Sequence, residues 1–221
     1  MRFIQHLLAV ITLSLFAAGA GASPTAPVNG KDYRTLERPQ PTDSGKKVEV
    51  TEFFWYDCPH CNAFEPALEA WVKKQGDKIN FKRVPVAFRD SFIPQQKLYY
   101  ALEALGKVDE LHARIFRAIH AERKQLDTEQ QIMDFIAKQP GIDAKKFADA
   151  YNSFGVQTKA RRATQLQADY QIDGVPTLAI AGRYMTSPSI VAGSVGDRPE
   201  PALHAAALQV ADYLVSKSAA R

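Results

Sequence analysis

The sequence predicts an α/β domain interrupted by an all-helical insertion. Three observations carry this reading. A β-branched and aromatic run at 48–55, a helical stretch from Pro59 to Gly76 and a second apolar run at 79–86 form a strand–helix–strand unit, which favours a parallel strand pair. Residues 94–171 then show only helical spacing. The strand pattern returns at 175–180 and 183–185, and a last helix closes the chain.

The elements follow in order. Arg2 opens the chain, Leu7 to Ala18 is an apolar run, and Ala20-Gly21-Ala22 is a small-residue site. This is the pattern of a secretory signal peptide over residues 1–22, cut after Ala22. A membrane anchor would need roughly 20 apolar residues. The mature chain is therefore expected to be exported to a compartment where disulfides persist. Residues 23–45 are rich in Pro, Gly and polar side chains and read as an extended arm with a short strand near Tyr33–Leu36. Val48–Trp55 reads as a strand. Pro59 starts a helix that Gly76 ends. Leu98, Ala101, Leu102 and Leu105 mark a further helix stopped by Gly106. Leu111, Ile115, Phe116 and Ile119 mark the next. Asp127-Thr128 starts a third, Asp143 caps a fourth, and a fifth runs from about Val156 to Tyr170. Val175–Ile180, a turn at Ala181-Gly182, and Arg183–Met185 read as strand, turn and strand; the last helix runs from about Glu200 to Ser216. Residues 23–92 and 172–221 thus make one domain, and 93–171 the insertion.

Composition narrows the function. With 46% hydrophobic and 24% charged residues the chain is neither disordered nor a multi-span membrane protein. A net charge of +4 is too small to indicate nucleic-acid binding. Two cysteines exclude a disulfide-dense scaffold.

Both cysteines fall in Cys58-Pro59-His60-Cys61, after a strand and at the start of a helix. A sulfur there faces unpaired N–H groups and the positive end of the helix dipole, which favours the reactive thiolate. The i, i+3 spacing lets the second sulfur reach the first. A plain staple is a poor alternative, since closing so small a loop is worth only about 2 kcal/mol, against about 3 for a 15-residue loop. Zinc would need about four ligands, and haem attachment a His where Asn62 stands. No metal and no cofactor is expected. Pro59 suits the first helical turn. His60 either brings positive charge or a donor to the Cys58 sulfur or is an exposed helix residue without a role.

Glu52 shares a strand face with Val48, Val50 and Phe54. Burial there would raise its pKa and let it exchange a proton with Cys61; the alternative is a strand-end carboxylate in solvent. Glu65 is left open between a functional and a merely exposed carboxylate. Trp55 or Tyr56 is a candidate edge of an apolar groove. His112 and His120 read as surface histidines, and Lys73-Lys74, Lys145-Lys146 and Arg161-Arg162 as solvated helix faces.

With these motifs, Glu52-Phe53-Phe54, Phe64-Glu65, Gly174-Val175-Pro176 and the arm from Gly30 to Pro39, the chain resembles the DsbA family of periplasmic thiol:disulfide oxidases. The resemblance spans essentially the whole mature chain. It implies a thioredoxin fold with a helical insertion, and donation of a Cys58–Cys61 disulfide to newly exported, reduced or unfolded proteins. It also implies reoxidation by a DsbB-type membrane quinone reductase; a monomer is expected. By the same resemblance Cys58 is the nucleophile, Cys61 the buried resolving thiol and Glu52 the buried glutamate. Pro176 is a cis-proline that, with Val175, binds an extended substrate; without the resemblance it would read as an edge-strand or turn proline. A disulfide isomerase or reductase, or a non-catalytic binding module on the same fold, is the alternative. Residues 23–57 leave no room for an isomerase's dimerisation domain, and thioredoxin-type reductases usually carry Gly-Pro between the cysteines.

Overall fold

The structure, a computed structural model, describes residues 26–196 and 198–219; the expected signal peptide and its cleavage site lie outside the described residues. A two-residue strand β1 (Arg34–Thr35) precedes β2 (Val48–Phe54), whose seven residues are all buried. Helix α1 (Pro59–Gln75) leads to β3 (Ile79–Pro85). Five helices follow: α2 (Ile93–Ala104), α3 (Val108–His120), α4 (Glu129–Ile136), α5 (Ala144–Tyr151) and α6 (Phe154–Asp169). Strands β4 (Thr177–Ile180) and β5 (Tyr184–Thr186) then precede α7 (Pro188–Val195) and α8 (Glu200–Ala219).

The sheet order is β1-β5-β4-β2-β3. As the strand–helix–strand unit predicts, β3 runs parallel to β2; β4 runs antiparallel to it on the other side. Phe64, Leu68 and Trp71 of α1 and Ala207, Val210 and Leu214 of α8 join Val48, Val50, Leu178 and Ile180 in one apolar cluster. A second cluster links Phe53, Phe54 and Val84 to Leu98, Leu102, Leu111, Ile115, Ile132, Ile136 and Phe147 of the helices between β3 and β4. The starts of those helices are fixed by side chains the sequence marks. Thr128 and Gln131 form a capping box, and Asp143 and Ser153 accept from the amides of Lys146 and Val156.

Two elements differ from the sequence reading. The strand expected from Val175 starts at Thr177; Pro176, joined to Val175 by a cis peptide, has no N–H to donate to the ladder. Helix α7 was not foreseen. Its local signals are Ser187, which accepts from the Ile190 amide, and Pro188 in its first turn; at eight residues it is too short to show a helical period.

The β4–β5 reversal uses Ala181 and Gly182, both with positive φ, 54° and 64°, as tight hairpins require. Gly182 also receives the N-terminal arm: its carbonyl accepts from the Gln40 amide at 2.7 Å, and a Cβ there would lie 2.1 Å from the Gln40 carbonyl oxygen. Gly182→Ala is expected to cost at least about 1–2 kcal/mol from the left-handed backbone alone, with more from the displaced arm. Ala181→Asn, which tolerates that backbone better, should move the denaturant midpoint the other way by a few tenths of a kcal/mol. Equal midpoints for both variants would contradict this account of the turn.

Candidate active site at the end of the central strand

Strand β2 delivers the chain to its C-terminal edge, and a turn follows in which the Cys58 amide donates to the Trp55 carbonyl at 3.1 Å. Cys58 is the residue flanking the start of α1, with extended backbone (φ −80°, ψ 116°), and Pro59 occupies the first turn. Cys58 is 7% exposed and Cys61 fully buried; both are free thiols. The antiparallel register pairs Phe53 with Thr177, so the residues just before Thr177 reach the same edge. The Cys58 thiol donates to the Val175 carbonyl at 3.5 Å. Val175 is half-buried and Pro176 buried.

The two thiols are driven apart electrostatically. The Cys61 thiol, hydrogen-bonded to the Cys58 sulfur, lowers Cys58 from 9.0 to about 6. Burial opposes this, while the backbone amides of Cys61 and His60 and the charge of His60 add to it. The helix start therefore contributes, as the sequence predicts, but the second cysteine contributes more. Cys61 moves well above 9.0, chiefly by burial, with the Cys58 sulfur and Glu52 adding.

His60 is 71% exposed and its Nδ1–H donates to Glu200 Oε1 at 2.8 Å. That hydrogen bond raises its pKa above 6.5. Glu200 opens α8 and lies 140 residues further along the chain. Sequence reasoning missed it, and no local pattern marks it.

Beneath the thiols lies a buried charge cluster. Glu52 is fully buried and paired across the parallel ladder with Arg83, whose Nε donates to Glu52 Oε2 at 3.0 Å. Arg83 Nη2 also donates to Glu65, so Glu65 is a buried partner and not an exposed helix carboxylate. His112 is a correction too. It is 3% exposed, its Nδ1 lies 2.9 Å from the Tyr56 hydroxyl and its Nε2 3.5 Å from Glu65 Oε1. His120 is half-buried, and its Nε2–H donates to the Tyr56 carbonyl at 2.8 Å. Tyr56, 1% exposed, belongs to the core and edges no groove. Helical spacing put these histidines on one helix; only packing showed that their face is covered.

Burial raises Glu52 from 4.5 to about 8, with the Glu65 charge adding and Arg83 opposing. Burial opposes ionisation of Glu65 as well, but the contact with His112 and the Arg83 guanidinium leave it below 4.5. Burial also pushes His112 below 6.5. At neutral pH the cation between the two carboxylates is thus Arg83, and one charge holds one carboxylate ionised. Glu52 keeps its proton. Arg83 was foreseeable, because two parallel strands of matched length place it opposite Glu52.

Trp55 is half-buried and stacks on Phe92 with ring centroids 3.7 Å apart, while Phe88 and Ile93 are exposed. The lysine and arginine pairs expected on solvated faces are exposed. Among the described residues no group of three or more His, Cys, Asp or Glu is placed to hold a metal, and no helix is long and apolar enough to cross a membrane.

A family model described as a DSBA-like thioredoxin domain matches residues 49–198. The chain belongs to the DsbA-like thioredoxin family. It is 50% identical over 217 residues to the thiol:disulfide interchange protein DsbA of Burkholderia cepacia, covering 97% of each chain. It is 37% identical to the Pseudomonas aeruginosa protein of the same name, covering 86% of this chain and 85% of that one. The crystal structure of Pseudomonas aeruginosa DsbA superposes with a TM-score of 0.77 at 36% identity, over 86% of this chain and 94% of that one. That of Xylella fastidiosa DsbA does so at 0.76 and 28%, over 88% and 99%. The DsbA-like chain has the thioredoxin-like fold expected of it and is a protein thiol:disulfide oxidoreductase.

A raised Glu52 pKa fixes a sign. The folded state favours protonated Glu52, so this stability is whole below the unfolded value near 4.5 and is lost as pH rises through about 8. Glu52→Gln cannot ionise. In denaturant unfolding it should gain on the unmodified chain by up to about 1.4 kcal/mol per pH unit across that window, then level off. Parallel profiles would show that Glu52 is ionised in the fold.

Proposed function

We propose that the chain works in the oxidising direction. It donates a Cys58–Cys61 disulfide to reduced or unfolded proteins exported to the periplasm and is restored by a DsbB-type membrane quinone reductase. The observation that carries this is the separation of the two thiols, Cys58 at about 6 and Cys61 well above 9.0. A thiolate stabilised only in the dithiol form favours reduction of the disulfide, which makes the disulfide an oxidant.

The step runs as follows. A substrate thiolate attacks Cys58 Sγ. The Cys58–Cys61 bond breaks, and its electron pair goes to the Cys61 sulfur, which takes a proton from Glu52. A second substrate thiolate attacks the substrate sulfur of the mixed disulfide and releases Cys58 as a thiolate, a low-pKa leaving group. The substrate has lost two electrons and the chain has gained them. Pro59 starts the helix whose amides face Cys58, and His60 adds charge. The backbone of Val175 and Pro176 pairs with the extended substrate by strand addition. Residues 23–92 and 172–221 act as the thioredoxin-like domain and 93–171 as the insertion. Residues 1–22 direct export.

Two measurements test this reading. Cys61→Ser should accumulate mixed disulfides with exported proteins, and Cys58→Ser should not; equal trapping would refute the assignment of roles. The second is a comparison of denaturant midpoints. Cys58 is depressed in the folded dithiol, so its stabilisation is whole above the unfolded thiol pKa and fades as pH falls through about 6. At pH 7.5 the reduced chain should outlast the oxidised one, with the gap closing below pH 6. An oxidised form that stays the more stable throughout, as an ordinary structural disulfide would make it, removes the case for an oxidase.

A further inference from the structure

Glu200 is held between two imidazoles. Its Oε1 accepts from His60 Nδ1–H at 2.8 Å and lies 3.7 Å from His204 Nε2, one helical turn along α8. His204 is 5% exposed, packs against Phe64 of α1 with ring centroids 5.2 Å apart, and has no hydrogen-bond partner for Nε2 among the described residues. The carboxylate is therefore set by the α1–α8 packing, and through His60 it reaches the first turn of α1, between the two cysteines. We propose that Glu200 is a positioning residue for the exchange reaction, fixing the orientation of His60 between the two cysteines. This rests on the reading of Cys58 as the attacking and leaving sulfur.

The groups that face His60 are Glu200 and the Cys58 thiolate, both of which favour its charged form. His204 faces Glu200 from within α8; burial lowers its pKa, so at neutral pH it is neutral and does not compete for the carboxylate's charge. Glu200 and His60 are partly solvent-exposed, 43% and 71%, and exposed pairs are modest in strength. The gain is therefore one of pH range. With Glu200, His60 supports the thiolate through neutral pH. Without it, that support fades as pH rises past the ordinary histidine value near 6.5.

The test is the equilibrium constant of the full chain with glutathione at pH 5.5 and pH 7.5, together with the NMR titration of His60. Glu200→Gln keeps the size and a hydrogen-bonding oxygen but not the charge. At pH 7.5 the variant should be about two- to fivefold less oxidising, the range an exposed ion pair supplies. At pH 5.5, where His60 is charged either way, the deficit should vanish. The His60 pKa should fall to 6.5 or below, and Glu200→Asp should restore part of the effect. On a His60→Leu background, Glu200→Gln should do nothing, because the pathway through the imidazole is gone. An equal change at both pH values, a more oxidising variant at pH 7.5, or an effect that survives His60→Leu would overturn the proposal. A chain that is a weak oxidant overall would instead count against the oxidase reading, and the ratio between the two pH values would still report on Glu200.

Discussion

The site depends on the register between β2 and β4. Because these strands are antiparallel and pair Phe53 with Thr177, the chain leaving β2 and the chain entering β4 meet at one edge of the sheet. Cys58 and Val175, 117 residues apart, come within hydrogen-bond distance at that edge, Cys58 through the turn after β2 and Val175 in the segment leading into β4. A shift of one residue would turn every side chain of a strand to the other face and separate the thiol from the Val175 carbonyl. The parallel β2–β3 pairing supplies the other half of the arrangement by setting Arg83 opposite Glu52. The five helices between β3 and β4 leave this frame intact, and α3 adds His112 beside Glu65.

Burial acts differently on each group it touches. It holds the proton on Cys61 and on Glu52, while Cys58, at the helix start, receives hydrogen bonds that outweigh burial. Arg83 sits between two carboxylates with charge enough for one. Of the two carboxylates, Glu52 is the one pushed toward its protonated form, and its charge bears on the Cys61 thiol. The cluster is costly to bury. His112 and Tyr56 share a hydrogen bond and His120 holds the Tyr56 backbone, while Glu52 Oε1, Glu65 Oε2 and His112 Nε2 have no hydrogen-bond partner among the described residues.

Much was legible in the sequence because it is local. Cys58-Pro59-His60-Cys61 at a strand–helix junction needs only four residues and two flanking elements to be read as reactive. Glu52 follows from strand alternation, and the helices from apolar spacing, caps and stops. The order of strands, helices and insertion was readable for the same reason: each depends on neighbours within a few residues.

What the tertiary structure decided is which surfaces are covered and which distant residues meet. Amphipathic spacing cannot say whether a second helix lies over a given face, so His112 reads as exposed and Glu65 is left open, and both are buried. Glu200 has no local signature at all; it meets His60 because α8 packs beside α1. Even the depression of the Cys58 pKa, readable in direction from the helix start, owes its largest part to the Cys61 thiol hydrogen-bonded to the Cys58 sulfur. A sequence specifies the chemistry of each group, but the field that tunes it is summed over neighbours in space, and those neighbours are fixed only when the chain has folded.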